Sequence, residues 1–331
     1  MNHSLIDITG LGSVGPCGPV SGPLRGPVPA PSVVTVWPTA GPRYALPAAP
    51  FRLADVLPKV NTRRLDRLSV WSLAAAALAL RDAGLDLSTV DGSRTAVVSA
   101  TGFGCLDLTE AYLRGAHEHG WRQTDPIYFP ETLGNVPAAH VARVFGCLGP
   151  NVTVGSRGPA AETALLTAAS LLRGGQADRA LVLAGDTLTR GLFDWYEAAG
   201  RLSADGGGFV PSEGVAAMVL EAPGQQRARA RLLDALWVHA DGSGRLPRDA
   251  AAATLVCKTQ GVPAGLQAAL SLEARFAPKC AIGDGLSDTG GLFGILTALG
   301  TAPPAARLLV LGAAPSGSCA VVVLEAAAHD Y

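Results

Sequence analysis

The side chains able to do chemistry are few and widely scattered. Six cysteines (Cys17, Cys105, Cys147, Cys257, Cys280, Cys319) form no Cys-x-x-Cys pair and share no matched spacing, so neither a zinc site nor a disulfide framework is expected. His117 and His119 flank Glu118 without a third ligand nearby, and no metal is expected there. Ser316, Ser318 and His329 lack the Gly-x-Ser-x-Gly elbow of a hydrolase. Gly102-Phe103-Gly104 and Gly283-Asp284-Gly285 have only part of the glycine spacing of a nucleotide loop. Arg157, beside Gly158, has three open roles: filling a pocket, pairing with Glu162, or reaching across an interface. No cofactor is implied by any of these residues.

Composition narrows the classes further. Of 331 residues, 48% are apolar and 16% charged, the reverse of a disordered chain. With 5% aromatics, the core must be built from Ala, Val and Leu. Net charge is −1, and of 26 basic residues only Lys59, Lys258 and Lys279 are lysine. No basic stripe is present, so no nucleic-acid partner is expected. The most apolar stretch, Val70–Leu80, is too short to span a bilayer and runs into Arg81-Asp82. The N-terminus lacks a positive segment followed by a long apolar run. A soluble, reduced, cytoplasmic protein is the expectation.

The elements that must position these residues follow from periodicity. Leu5–Gly10 reads as a strand. Residues 11–50 are crowded with Gly and Pro, and no regular element is expected there, apart from a possible strand at Val33–Trp37. Arg64–Ala83 is an Ala/Leu-rich helix stopped by Gly84. Arg94–Ala100 reads as a strand, Leu106–His119 and Pro130–Phe145 as helices, Asn151–Val154 as a short strand and Ala160–Arg173 as a helix. Strands are expected at Arg179–Ala184, Val215–Leu220, Arg231–Ala240, Lys279–Gly283, Arg307–Leu311 and Cys319–Glu325. Helices are expected at Gly261–Phe276 and Thr289–Leu299. This order argues for a layered α/β fold, with an abridged second copy of an internal duplication.

Several segments resemble the β-ketoacyl synthases. They are Arg63-Arg64-Leu65-Asp66-Arg67-Leu68-Ser69, Gly102-Phe103-Gly104, Tyr128-Phe129-Pro130 with Asn135, and Gly149-Pro150-Asn151-Val152-Thr153-Val154 after Phe145-Gly146. Asp178–Asp186 and Gly207-Gly208-Phe209-Val210-Pro211-Ser212-Glu213-Gly214 follow in family order. Together they cover residues 60–222, and Val310–Glu325 looks like the family's last strands. The resemblance implies a thiolase-like fold, a duplicated α-β-α-β-α sandwich. Residues 1–222 would be the ketosynthase-like N-terminal half and 223–331 a shortened C-terminal half, the two forming one compact unit.

A ketosynthase needs a Cys at a helix N-terminus to form the acyl thioester, and two His residues for decarboxylation and enolate stabilisation. Here Gly158 aligns with the Cys. The first His motif is absent, and Asp284 or Gly285 aligns with the second His. The deficit in length falls between about 240 and 285. Loss of nucleophile and base costs on the order of 10⁶ in rate. The resemblance therefore narrows to the chain-length factors of type II polyketide synthases, and within them to polyene-forming, highly reducing systems of the ishigamide kind.

Such a subunit is not an enzyme by itself. It pairs with an active β-ketoacyl synthase, which would supply the Cys, both His residues and the docking site of the acyl carrier protein. Phe103, Thr109 and Leu113 are then tunnel-lining candidates, with Tyr128 inserting across the interface and Tyr196 lining the pocket. Phe103 and Tyr196 read equally well as core, and Tyr128 also reads as a surface tyrosine. Two further readings are an acyl-transferring or thioester-hydrolysing enzyme on the same scaffold, and a homodimeric acyl-chain-binding module.

Overall fold

The computed structural model describes residues 5–35, 37, 41–87, 91–156, 158–205, 209–224, 227–239, 255–258, 286, 289–314 and 318–328. In chain order the N-terminal half contains β1 (Ile6–Gly15), β2 (Gly18–Ser21), β3 (Ser32–Val33), β4 (Tyr44–Ala45), α1 (Leu53–Val56), α2 (Arg67–Asp82), β5 (Thr95–Thr101) and α3 (Leu106–His119). It continues with α4 (Val136–Phe145), β6 (Asn151–Gly155), α5 (Ala160–Arg173), β7 (Arg179–Asp186), α6 (Arg190–Ala198) and β8 (Gly214–Glu221). Then come β9 (Ala230–Val238), β10 (Leu255–Lys258), α7 (Gly291–Thr301), β11 (Arg307–Ala313) and β12 (Cys319–Ala326).

One mixed sheet carries the order β10-β11-β12-β9-β1-β8-β7-β5-β6, with β2 paired to β1. Its middle is antiparallel, while β5 pairs in parallel with β6 and β7, and β10 with β11. β1 holds the two halves together: it pairs with β8 on one side and with β9 on the other. The strands are apolar on both faces, as a sheet covered on both sides requires. Val97, Leu181, Leu183 and Val219 pack with α2 and α4. Val98, Val182, Met218 and Val322 pack with α5 and α7. Alternate residues of β11 and β12 (Leu309, Leu311, Val321, Val323) form a third buried cluster. This is the layered thiolase-like arrangement.

The fold corrects the expectation for residues 11–50. β1 runs on to Gly15 and turns back as β2, and β3 and β4 form a small two-stranded sheet. The glycines that read as breakers admit a helix instead. A Cβ on Gly10 would overlap the Ala79 carbonyl, and one on Gly12 would overlap the backbone of α2. The expected Pro130–Phe145 helix is a 3₁₀ turn at Phe129–Thr132 followed by α4. Pro137 sits in the first turn of α4, where its missing N–H costs nothing. β10 was not expected. Lys279–Gly283 and nearly all of Gly261–Phe276 and its flanks lie outside the described residues.

Candidate functional site

The end of β6 leads through Gly158-Pro159 into α5, the segment that the sequence resemblance sets against a condensing enzyme's thiol. Gly158 is buried. Pro159 stands at the helix cap with no side-chain cap bond and no N–H to offer. Glu162, in the first turn of α5, is 1% exposed. Its carboxylate occupies the space that two glycines leave open. A Cβ on Gly291, at the start of α7, would overlap it, and one on Gly312, at the end of β11, would stand 2.7 Å from its carboxyl carbon. Cys319 is buried nearby, and burial, reinforced by the Glu162 charge, pushes its thiol up from the ordinary range. Arg157, Asp284 and Gly285 lie outside the described residues.

A second thiol, Cys105, stands at the cap of α3 and reaches the Leu133 carbonyl at 3.4 Å. Burial, and then the Asp66 charge, pushes it far up. A thiol held protonated is a poor nucleophile. His140 has its Nε2 within 2.9 Å of Glu131 and its Nδ1 within 3.0 Å of the Arg143 guanidinium. Because that guanidinium only donates, Nδ1 is an acceptor and Nε2 carries the proton. His117, His119 and His239 are exposed.

The segment around Phe103 is tied down far more densely. Asp186, the last residue of β7, accepts from the Thr101 hydroxyl at 2.6 Å and from the Phe103 amide at 3.0 Å. It also accepts from the Gly102 amide at 3.0 and 3.1 Å and from the Thr289 hydroxyl at 2.9 Å. Burial raises its carboxyl above the usual range, and these four donors oppose the rise.

α3 is fixed along its length. Asp66 caps α2 through Leu68 N at 2.8 Å and reaches Leu108 N at 2.9 Å, so one carboxylate serves the starts of two helices. Burial lifts it to about 6 against those two bonds. Arg67 forks onto Asp107 and also reaches the Leu188 carbonyl and, at 3.0 Å, buried Glu213. Glu213 in turn accepts from the Ala48 and Leu188 amides. Glu110 finds partners in the Thr189 hydroxyl and the Gly191 amide at the start of α6.

Phe103 is half-buried and packs on Leu188, Leu192, Phe193 and Tyr196. Tyr196 is buried in that cluster, its ring centroid 4.9 Å from Phe209. Thr109 bonds the Cys105 and Thr132 carbonyls and so joins α3 to the 3₁₀ turn. Leu113 is half exposed on α3, and Tyr128 is half-buried beside exposed Ile127 and Phe129. Phe103 and Tyr196 are therefore brought together, while Thr109, Leu113 and Tyr128 lie along α3 and the turn it meets. Glu162, Asp186 and Thr289 were not singled out as site residues. The available signal was an acid closing an otherwise apolar strand, and another in an otherwise Ala/Leu/Thr helix.

Two cavities open on the surface of these elements. One, of about 680 Å³, is lined by Lys59, Arg63, Arg64 and Arg143 together with Glu131 and His140. The other, of about 520 Å³, lies between α3 and the start of α6, against Trp37, Arg114 and Arg190. Neither is lined by Phe103, Thr109, Leu113, Tyr128 or Tyr196. β6 is the edge of the sheet, and its residues are exposed or half-buried. Trp121, Phe129, Leu133 and Leu148 are also exposed. Among the described residues no group of three or more His, Cys, Asp or Glu could hold a metal, and no helix is long and apolar enough to cross a membrane.

Residues 44–225 match the family model of the β-ketoacyl synthase N-terminal domain. A 3-oxoacyl-[acyl-carrier-protein] synthase 2 of Vibrio harveyi is 29% identical over 202 residues, which are 56% of this chain and 49% of that protein. The alignment thus spans about half the length of the curated relative. Among solved structures, the ishigamide ketosynthase/chain length factor superposes with TM-score 0.70 at 20% identity, covering 97% of this chain and 99% of the other. A type II polyketide synthase acyl-carrier protein in complex with its ketosynthase gives TM-score 0.74 at 16% identity, covering 98% and 99%.

Proposed function

Because this chain belongs to the β-ketoacyl synthase family, we propose that it serves there as a non-catalytic chain-length factor. It heterodimerises with an active ketosynthase in the cytoplasm and contributes wall to the shared tunnel that limits polyketide length. The observation that carries this reading is the start of α5. There the helix opens on Gly158, which the motif order sets against the family's thiol, and Pro159, and the adjoining space is taken by the Glu162 carboxylate between Gly291 and Gly312. The edge strand β6 supports a partner of similar architecture, since an unpaired edge invites strand addition, as do the exposed side chains of Trp121, Phe129, Leu133 and Leu148. The carrier protein delivers the acyl chain mainly through the partner. The likeness to the ishigamide pair supports placement among polyene-forming, reducing systems, and the two halves, 1–222 and 223–331, act as one unit around β1.

The test is co-expression with a ketosynthase that has its Cys and both His residues. The reading predicts a stable 1:1 complex that condenses malonyl units, with this chain poorly soluble and inactive alone. A well-behaved monomer that ignores the ketosynthase, or condensation by the isolated chain, refutes it.

A further inference from the structure

The buried carboxylate of Asp186 joins two places that are far apart in sequence. On one side is the turn that carries Phe103: the Thr101 hydroxyl and the Gly102 and Phe103 amides all donate to it. The Gly104 amide returns to the Thr101 hydroxyl at 2.7 Å, with Gly104 in the left-handed region at φ +71°. On the other side is the start of α7. Gly290 caps that helix without a side chain, and the neighbouring Thr289, fully buried, gives its hydroxyl to Asp186.

An apolar side chain at 186 would continue β7 as well as the residues before it do. Burying a carboxylate there is costly unless converging donors answer it. Here the donors that answer it are the backbone amides that set the direction of Phe103. We infer that Asp186 is the positioning residue of the tunnel wall: it fixes where Phe103 stands and links that position to the start of α7. Product length then depends on a side chain that need not touch the acyl chain. This rests on the chain-length-factor reading above.

The experiment uses the co-purified complex with its ketosynthase. Malonyl-carrier protein is the substrate, product length is read by mass spectrometry, and amide hydrogen exchange is followed at Gly102 and Phe103. Asp186→Ala should speed exchange at those two amides by about tenfold or more and spread the products over at least one further extension unit. Asp186→Asn keeps one acceptor oxygen and should stay near the parent in both readouts. Thr289→Val removes only the α7 link and should reproduce the product spread in weaker form, with Thr289→Ser restoring the parent profile. If Asp186→Ala does not assemble, the Thr289 pair carries the test.

A residue that only stabilised the fold would lower the melting temperature and leave product length alone. Unchanged exchange overturns the inference. So does faster exchange with unchanged length, when Phe103→Ala does shift length. If Phe103→Ala itself leaves length unchanged in an intact complex, the tunnel-wall reading fails first and the inference falls with it.

Discussion

The start of α5 and the flanks of α3 have been built by opposite rules. At α5 the helix opens on small or cyclic residues, Gly158 and Pro159, and the adjoining room is filled by Glu162 against Gly291 and Gly312. Around the start of α3 the polar groups have defined partners: Asp66 with two helix starts, Arg67 with Asp107 and Glu213, Glu110 with the cap of α6, and Asp186 with the Phe103 turn. One region is closed by packing, the other held by charge and hydrogen bonds. On the proposed reading the second region is the wall, and a wall works only if it stays in place.

The comparison breaks most severely at Arg67. Replacing it with Ala leaves the buried Glu213 carboxylate with only its two amide donors and frees Asp107. The Arg67 side chain is 36% exposed, so solvent screens the pair; a cost of about 1 to 3 kcal/mol is expected, seen as a drop in the urea midpoint of the complex. A change within experimental error would mean that α3 is held by packing alone.

Next comes the pH dependence of Asp66. Burial raises its folded pKa to about 6, above the ordinary aspartate value near 3.8. The protonated form therefore belongs to the folded state, and its contribution is complete below the unfolded pKa and lost as pH rises through 6. The loss is about 2 to 3 kcal/mol between pH 4 and 7. Asp66→Asn should flatten that slope in denaturation midpoints measured across the interval. An equal slope in both proteins would assign the pH dependence to other groups.

A smaller effect sharpens the α5 side. Gly291→Ala should destabilise by about 1 to 2 kcal/mol, because its methyl group meets Glu162. In a Glu162→Ala background the same change should be neutral or stabilising, since Ala outranks Gly in a helix. Additive effects in the double-mutant cycle would show that the two side chains do not compete for the same space. Smallest of all, Gly158→Cys should give no chain extension by the isolated chain, because Pro159 spoils the donor set and, among the described residues, the histidines are either bonded elsewhere (His140) or exposed. Detectable condensation would contradict this.

Much of the scaffold was legible because long periodic segments announce themselves. α3 and α5 fall where their spacing places them, and β7 and β8 need only an extra residue or two at their ends. The N-terminal hairpin was not legible. Gly10 and Gly12 read as breakers locally, yet they serve the close approach of α2, a contact that exists only in the tertiary fold. β10 escaped notice because it has four residues and, among the described residues, pairs with β11 alone. At the site, the motif order drew attention to Gly158, but the packing beside it was not legible. Glu162 meets Gly291 and Gly312 across 129 and 150 residues of chain, beyond the reach of any local pattern. Thr109 and Leu113 read as one helix face. In the fold they share that face in different surroundings: the Thr109 hydroxyl bonds two carbonyls, while Leu113 is 50% exposed.

That exposure makes Leu113 the cleanest probe of a wall without chemistry, since a larger side chain there disturbs no internal bond. The decisive measurement is the product-length profile of the reconstituted complex carrying Leu113→Trp. Intrusion of a bulky side chain into a filled tunnel costs roughly 1 to 3 kcal/mol, which favours release before the last extension. The account predicts shorter products from an intact 1:1 complex whose turnover falls far less than on removal of the partner's thiol. Products of unchanged length from an intact complex, with Phe103→Ala equally silent, would contradict it and leave the tunnel wholly within the ketosynthase.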